Sequence, residues 1–165
     1  MNKLSKFILT FVSAIALILV STSISFSKVV GDKIILGAAV SLTGKYSSNG
    51  VHTQNGYNLA VERINSMGGV KVGGKNYKFE IIYYDDESNS GRAAQLAERL
   101  IKQDGVQFML GPYSSGLTKA MAPVTEKYGI PMVEANGASR SLFTKGYKYL
   151  FAVLAPANLY LDVAI

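Results

Sequence analysis

The chain has no cysteine among its 165 residues and a single histidine, His52. The first absence removes disulfides, thiolate metal sites, a cysteine nucleophile and the acylated cysteine of a lipoprotein anchor. The second leaves a histidine metal site or a Ser-His-Asp triad hard to assemble. The formal net charge is +6, yet no five like charges run together, and Lys3 and Lys6 at the extreme N-terminus supply part of it. Basic and aromatic side chains do not interleave on any segment, so no nucleic-acid footprint is expected. Catalytic and nucleotide signatures are missing as well. Around Ser114 and Ser115, Pro112 and Tyr113 stand where a nucleophile elbow needs its first glycine. Nothing matches a phosphate loop, and Gly68-Gly69 with Gly73-Gly74 lacks dinucleotide spacing. Neither an enzyme nor a cofactor or metal site is expected.

What is present begins with a targeting pattern. Met1 to Lys6 is basic, Phe7 to Val20 is apolar apart from Thr10 and Ser13, and small residues follow up to Ser27. Ser25 and Ser27 occupy the −3 and −1 positions an export peptidase reads. As a helix the apolar run would reach only roughly 21 Å, against about 30 Å of bilayer hydrocarbon. The pattern predicts a signal peptide over 1–27, cleavage after Ser27 and a mature chain from Lys28. No second apolar run of membrane length follows, so the mature chain is not expected to be membrane-embedded. The alternative is an uncleaved anchor that borrows Ser21 to Phe26.

From Lys33 onward, apolar runs alternate with amphipathic stretches. Lys33 to Val40 reads as a strand buried on both faces. Ser41 to Gly50 is a loop by composition, and Val51 to Met67 a helix facing inward with Tyr57, Ala60, Val61 and Ile64. Val70 to Lys78 is a turn or small hairpin on Gly73-Gly74. Phe79 to Tyr84 is the second strand. Capping residues Ser88 to Ser90 precede a helix over 92–103, with Ala93, Leu96, Ala97, Leu100 and Ile101 as its buried stripe. Val106 to Leu110 is a third strand, and Leu117 to Tyr128 a helix facing inward with Leu117, Ala120, Met121, Val124 and Tyr128. Ile130 to Val133 and Tyr149 to Leu154 complete the strands. This order predicts an α/β fold: a doubly wound parallel sheet with helices on both faces.

Ligands of such sheets bind beyond the carboxyl ends of the strands. Four loops lie there: Ser41 to Gly50, Asp85 to Ser90, Gly111 to Gly116 and Glu134 to Arg140. Tyr113-Ser114-Ser115-Gly116 leads straight into a helix whose first N–H groups favour an anion such as a ligand carboxylate. Capping serines are common, and the local pattern alone also fits an ordinary cap. Asn136 can donate and accept within a turn of small residues, which reads equally as a plain Asn-Gly turn. Asp85, Asp86 and Glu87 read as solvated side chains or caps rather than as an acid-base or cation site. His52, at the start of the first helix, reads as a polar loop residue with little to do with ligand.

Several stretches, in this order, resemble the leucine/isoleucine/valine-binding proteins, the type I periplasmic solute-binding family of branched-chain amino-acid transporters. They are KIILGAAVSLTGKYSSNG, GYNLAVERINSMGG, FEIIYYDDES, GPYSSG, and GIPMVEANGAS followed by KGYKYLF. The resemblance covers Lys33 to about Asp162. It implies the first lobe of a two-lobed binding protein over 28–165, incomplete and truncated near the entry to the second lobe. It further implies an amino-acid-like ligand, a periplasmic location, delivery to the membrane permease of an ABC importer, and a monomer. A sensor's ligand-binding lobe and an exported α/β enzyme are the alternatives. By position, Ser115 and the backbone of Asn136, Gly137 and Ala138 would hold the ligand carboxylate. Tyr113 and Ser114 would line the side-chain pocket, with Tyr46 to Asn49 as another wall. The family's branched-chain binders carry alanine at the Asn136 position and threonine at the Ala138 position. Ser114 and Asn136 make this half of the pocket more polar, so a polar amino acid or amide stands beside branched-chain ligands.

Overall fold

The computed structural model describes residues 29–160; the export segment and its cleavage point lie outside them. Its strands are β1 (Val29–Val30), β2 (Lys33–Val40), β3 (Val70–Val72), β4 (Lys75–Asp85), β5 (Phe108–Leu110), β6 (Met132–Glu134) and β7 (Leu150–Ala152). The helices are α1 (Ser47–Ser66), α2 (Ser90–Lys102), α3 (Ser115–Tyr128) and the short α4 (Arg140–Phe143), and a 3-10 turn follows at Ala157–Leu159. One seven-stranded sheet runs in the order β3-β4-β2-β5-β6-β7, with β1 paired to β2. The five strands from β4 to β7 in that order are all parallel. Only β1 and β3 are antiparallel, β1 to the start of β2 and β3 to the start of β4. The hairpin expected at Gly73-Gly74 is the β3–β4 turn.

Strand alternation sorts the core. Ile35 and Ala39 of β2 face α2 and α3, joined by Ala93, Ala97, Leu100, Val106, Met109, Leu117, Met121 and Met132. The α2 stripe lies where its periodicity places it, with Ala93, Ala97 and Leu100 fully buried. Asn89 caps this helix by accepting the Arg92 N–H at 2.9 Å. On the opposite face α1 packs against β4 and β2.

Two helices differ from expectation. In α3 the buried face is Leu117, Thr118, Met121, Ala122 and Thr125, whereas Ala120, Val124 and Tyr128 are only half-buried. The threonines can turn inward because their hydroxyls are satisfied within the helix: Thr118 donates to the Ser114 carbonyl at 2.9 Å and Thr125 to that of Ala122 at 3.1 Å. In α1 the helix begins four residues earlier than composition suggests, at Ser47. The Ser88 hydroxyl accepts the Tyr46 N–H at 3.0 Å and donates to the Thr43 carbonyl at 2.8 Å, fixing the chain just ahead of the first turn. Tyr57, Val61 and Ile64 are half-buried and Ala60 is exposed.

Candidate functional site

The carboxyl ends of β2, β4, β5 and β6 share one rim, because their ladders are in parallel register: Val40 lies opposite Asp85, and Leu110 opposite Val133. Loops after β2 and β4 are tied by two adjacent acids. Asp85 accepts the Leu42 N–H at 2.9 Å and the Thr43 hydroxyl at 2.7 Å. Asp86 is fully buried, accepts the Ser41 hydroxyl at 2.6 Å, and has a second oxygen without a partner. Burial pushes the Asp86 carboxyl up from its ordinary value, against the Ser41 and Ser88 hydrogen bonds. For Asp85 burial acts the same way, but bonds from Thr43, Glu87 and Leu42 outweigh it and hold the carboxyl below its ordinary value. Glu87 is exposed, as the solvated reading has it; for Asp85 and Asp86 the expectation is corrected, since both brace loops.

The other two loops are brought together at the tip of α3. Ser114 has φ 81° and caps the helix, its hydroxyl oxygen accepting the Leu117 N–H at 3.4 Å. Ser115 Oγ accepts the Ser139 N–H at 3.0 Å, which joins the β5 loop to the β6 turn. Because that bond uses the oxygen as acceptor, the Ser115 hydroxyl hydrogen remains available to donate, beside the first-turn N–H groups of the helix. The Asn136 carboxamide donates to Thr53 Oγ1 at 3.3 Å. The Asn136 and Gly137 N–H groups both go to the Glu134 carboxylate. The Ala138 carbonyl accepts the Ala157 N–H at 2.8 Å, which anchors the turn from its far side.

Tyr113 and Asn136 line a recess of about 360 Å³, together with Asn49, His52, Thr53 and Tyr57 from α1. The Tyr113 ring meets that of Tyr46 edge to face at 5.5 Å, and Lys45 Nζ lies 4.7 Å from the centre of the Tyr46 ring. The Tyr57 hydroxyl donates to the Gly111 carbonyl at 2.7 Å. Burial, and then the nearby Glu134 charge, push the Tyr57 phenol well above its ordinary value, so it stays a neutral donor.

Three residues of this region had no functional reading in the sequence: Thr53, Tyr57 and Glu134. For Glu134 a signal existed. It stands two residues after Met132 on the same strand, and the period of two puts both on the buried face. Thr53 is one helical turn after Asn49, a spacing that shows only once the helix is known to begin at Ser47.

Of the expected site residues, Tyr113 and Asn136 line the recess, whereas Ser114, Ser115, Gly137 and Ala138 lie outside its lining. The fold is a parallel α/β lobe whose rim carries hydroxyls, a carboxamide and a helix tip. The sequence matches the periplasmic binding protein family over residues 33–162, and the chain belongs to that family. A leucine-, isoleucine-, valine-, threonine- and alanine-binding protein of Pseudomonas aeruginosa is 28% identical over 133 residues, covering 81% of this chain and 34% of the relative. The branched-chain amino acid transporter substrate binding protein of Streptococcus pneumoniae, solved with isoleucine, superposes with a TM-score of 0.67. It is 32% identical over 74% of this chain and 34% of its own. A solute binding protein of an ABC transporter from Rhodopseudomonas palustris, solved with 3,4-dihydroxybenzoic acid, gives a TM-score of 0.61 at 27% identity, over 73% of this chain and 31% of its own. The chain thus spans about a third of the length of the relatives it matches, and its fold is part of the type I periplasmic binding protein fold.

Proposed function

We propose that this chain is part of the first lobe of an extracytoplasmic solute-binding protein that serves an ABC importer and has no enzymatic activity. Its ligand is an amino acid or a related amide-bearing solute, held in a cleft between two lobes. Residues 1–27 act as the signal peptide, the mature chain is monomeric and periplasmic, and its protein partner is the membrane permease. The observation that carries this reading is the Ser139–Ser115 bond. It presents a serine hydroxyl hydrogen and the α3 tip to one point on the rim, an arrangement that favours a carboxylate. The Ala138 N–H completes the donor set, since Asn136 and Gly137 spend theirs on Glu134. Tyr113 and Ser114 border the ligand's side chain, and the Asn136 carboxamide offers it a polar contact.

Affinity from one lobe is small. Three or four charge-assisted hydrogen bonds at about 1.5–3 kcal/mol each give roughly 5–12 kcal/mol. Association costs about 4–15 kcal/mol before net affinity appears, and micromolar binding needs about −8 kcal/mol net. Calorimetry of the 165-residue chain with L-leucine, L-isoleucine, L-glutamine and L-asparagine is therefore expected to show no saturation below millimolar concentration. Amide NMR at high-millimolar amino acid is expected to move the Ser115, Gly116 and Ala138 signals. A micromolar isotherm refutes the single-lobe estimate, and motionless signals at all three amides refute the site.

A further inference from the structure

Glu134 ends β6 and is fully buried. One carboxylate oxygen accepts two consecutive N–H groups, from Asn136 at 3.1 Å and from Gly137. The other oxygen is buried without a partner. An acid buried in that way costs stability. Here the packing is built around it. A Cβ on Gly137 would come 2.6 Å from Glu134 Oε2 and 3.0 Å from Thr118 Oγ1. A Cβ on Gly111 would come 2.6 Å from Glu134 Cβ and 2.9 Å from its Cα. Gly111 opens the loop that carries Tyr113, Ser114 and Ser115, and Gly137 lies in the turn that carries Asn136 and Ala138. The glutamate is thus wedged between the two loops of the candidate site, each of which has given up a side chain at the contact.

We propose that Glu134 is the positioning residue of this site. Its carboxylate locks the Asn136–Gly137 turn at the distance from the α3 tip at which the Ser139 N–H reaches Ser115 Oγ and Ala138 faces the same point. The proposal deepens the solute-binding reading and rests on it for the ligand's presence, but the link between the loops joins residues of this chain alone. The titratable neighbour is Tyr57, whose phenol stays neutral beside the carboxylate.

The test compares the 165-residue chain with E134Q, which keeps one acceptor oxygen in place, and E134A, which keeps none. Amide hydrogen exchange at Ser139 is read without ligand. E134A is expected to exchange at least about tenfold faster, the scale of losing a hydrogen-bonded brace, while E134Q stays near the parent. The Asn136 and Gly137 amide shifts are expected to titrate together with pH in the parent and to be pH-independent in E134Q. With L-leucine and L-glutamine as probes, the Ser115 and Ala138 responses are expected to vanish in E134A and to persist, weakened, in E134Q. Dispersed Leu100 and Met121 methyl signals report that each variant is folded, and if E134A is not folded the E134Q titration decides. Unchanged Ser139 exchange in folded E134A, or Gly137 shifts that still titrate in E134Q, overturns the proposal. A parent that passes the exchange and pH arms but ignores both amino acids overturns the solute-binding reading alone.

Discussion

Asp85 and Asp86 are chain neighbours at the end of β4, yet they point to opposite sides and meet opposite environments. Asp85 is half-buried and ringed by N–H and O–H donors, which stabilise its anion. Asp86 is buried, with one oxygen left unpaired. The pH consequences have opposite sign. The Asp85 contribution is present above its ordinary carboxylate value and fades as pH falls through its lowered one. The Asp86 contribution is present below the ordinary value and fades as pH rises through its raised one. D86N removes the second dependence while keeping an acceptor for the Ser41 hydroxyl. Between pH 4 and pH 7, the melting midpoint of D86N relative to the parent is therefore expected to improve toward pH 7. A difference that is flat across this range contradicts the assignment. Neither fate was legible in the triplet Asp85-Asp86-Glu87, because alternation on a strand says which sides two residues face but not what covers each side.

At the scale of the element, α2 was the most legible and α1 the least. The five-residue apolar stripe of α2 meets a sheet face directly, so its local period and its tertiary role agree. Asn89→Ala is expected to cost about 1 kcal/mol by loss of the cap. Leu100→Ala, at full burial against Val106 and Met109, is expected to cost about 2–5 kcal/mol. Both are read from urea midpoints at constant slope, and a Leu100→Ala cost below that of Asn89→Ala would contradict the core as described. The start of α1 was hidden because Ser47 to Gly50 are poor helix formers whose placement depends on Ser88, some forty residues away in sequence. The α3 face was misplaced by one row because periodicity counts threonine as polar. A threonine that bonds its own helix's carbonyls presents a methyl to its neighbours instead.

Among the described residues, one face of the sheet is less covered than the other. Beyond α1, Ile34, Leu36, Phe79, Leu110 and Val133 line an apolar concavity of about 240 Å³ with Phe108. Phe108 is 43% exposed and Phe151 53% exposed. Exposed apolar surface of this kind binds hydrophobic dyes and promotes association. The chain is expected to enhance the fluorescence of anilinonaphthalene sulfonate while keeping native near-ultraviolet dichroism. F108K is expected to reduce that signal at a stability change within about 0.5 kcal/mol, as for a surface site. A loss of several kcal/mol would mean that Phe108 is packed, not exposed.

The order of strands and helices, the parallel sheet and the rim where a ligand would meet it follow from the sequence alone. Each rests on local periodicity and on the rule that strand–helix–strand units cross over with one hand. The placement of the loops that carry Ser114, Ser115 and Asn136 at one edge was legible for the same reason, since this topology sends them there. The pairing of Ser139 with Ser115, the burial of Glu134 between two glycines, and the recess between α1 and Asn136 required the tertiary structure. Ser139 and Ser115 stand 24 positions apart and Asn136 and Thr53 stand 83 apart, and which donor meets which acceptor over such separations is decided by close packing, not by any pattern along the chain.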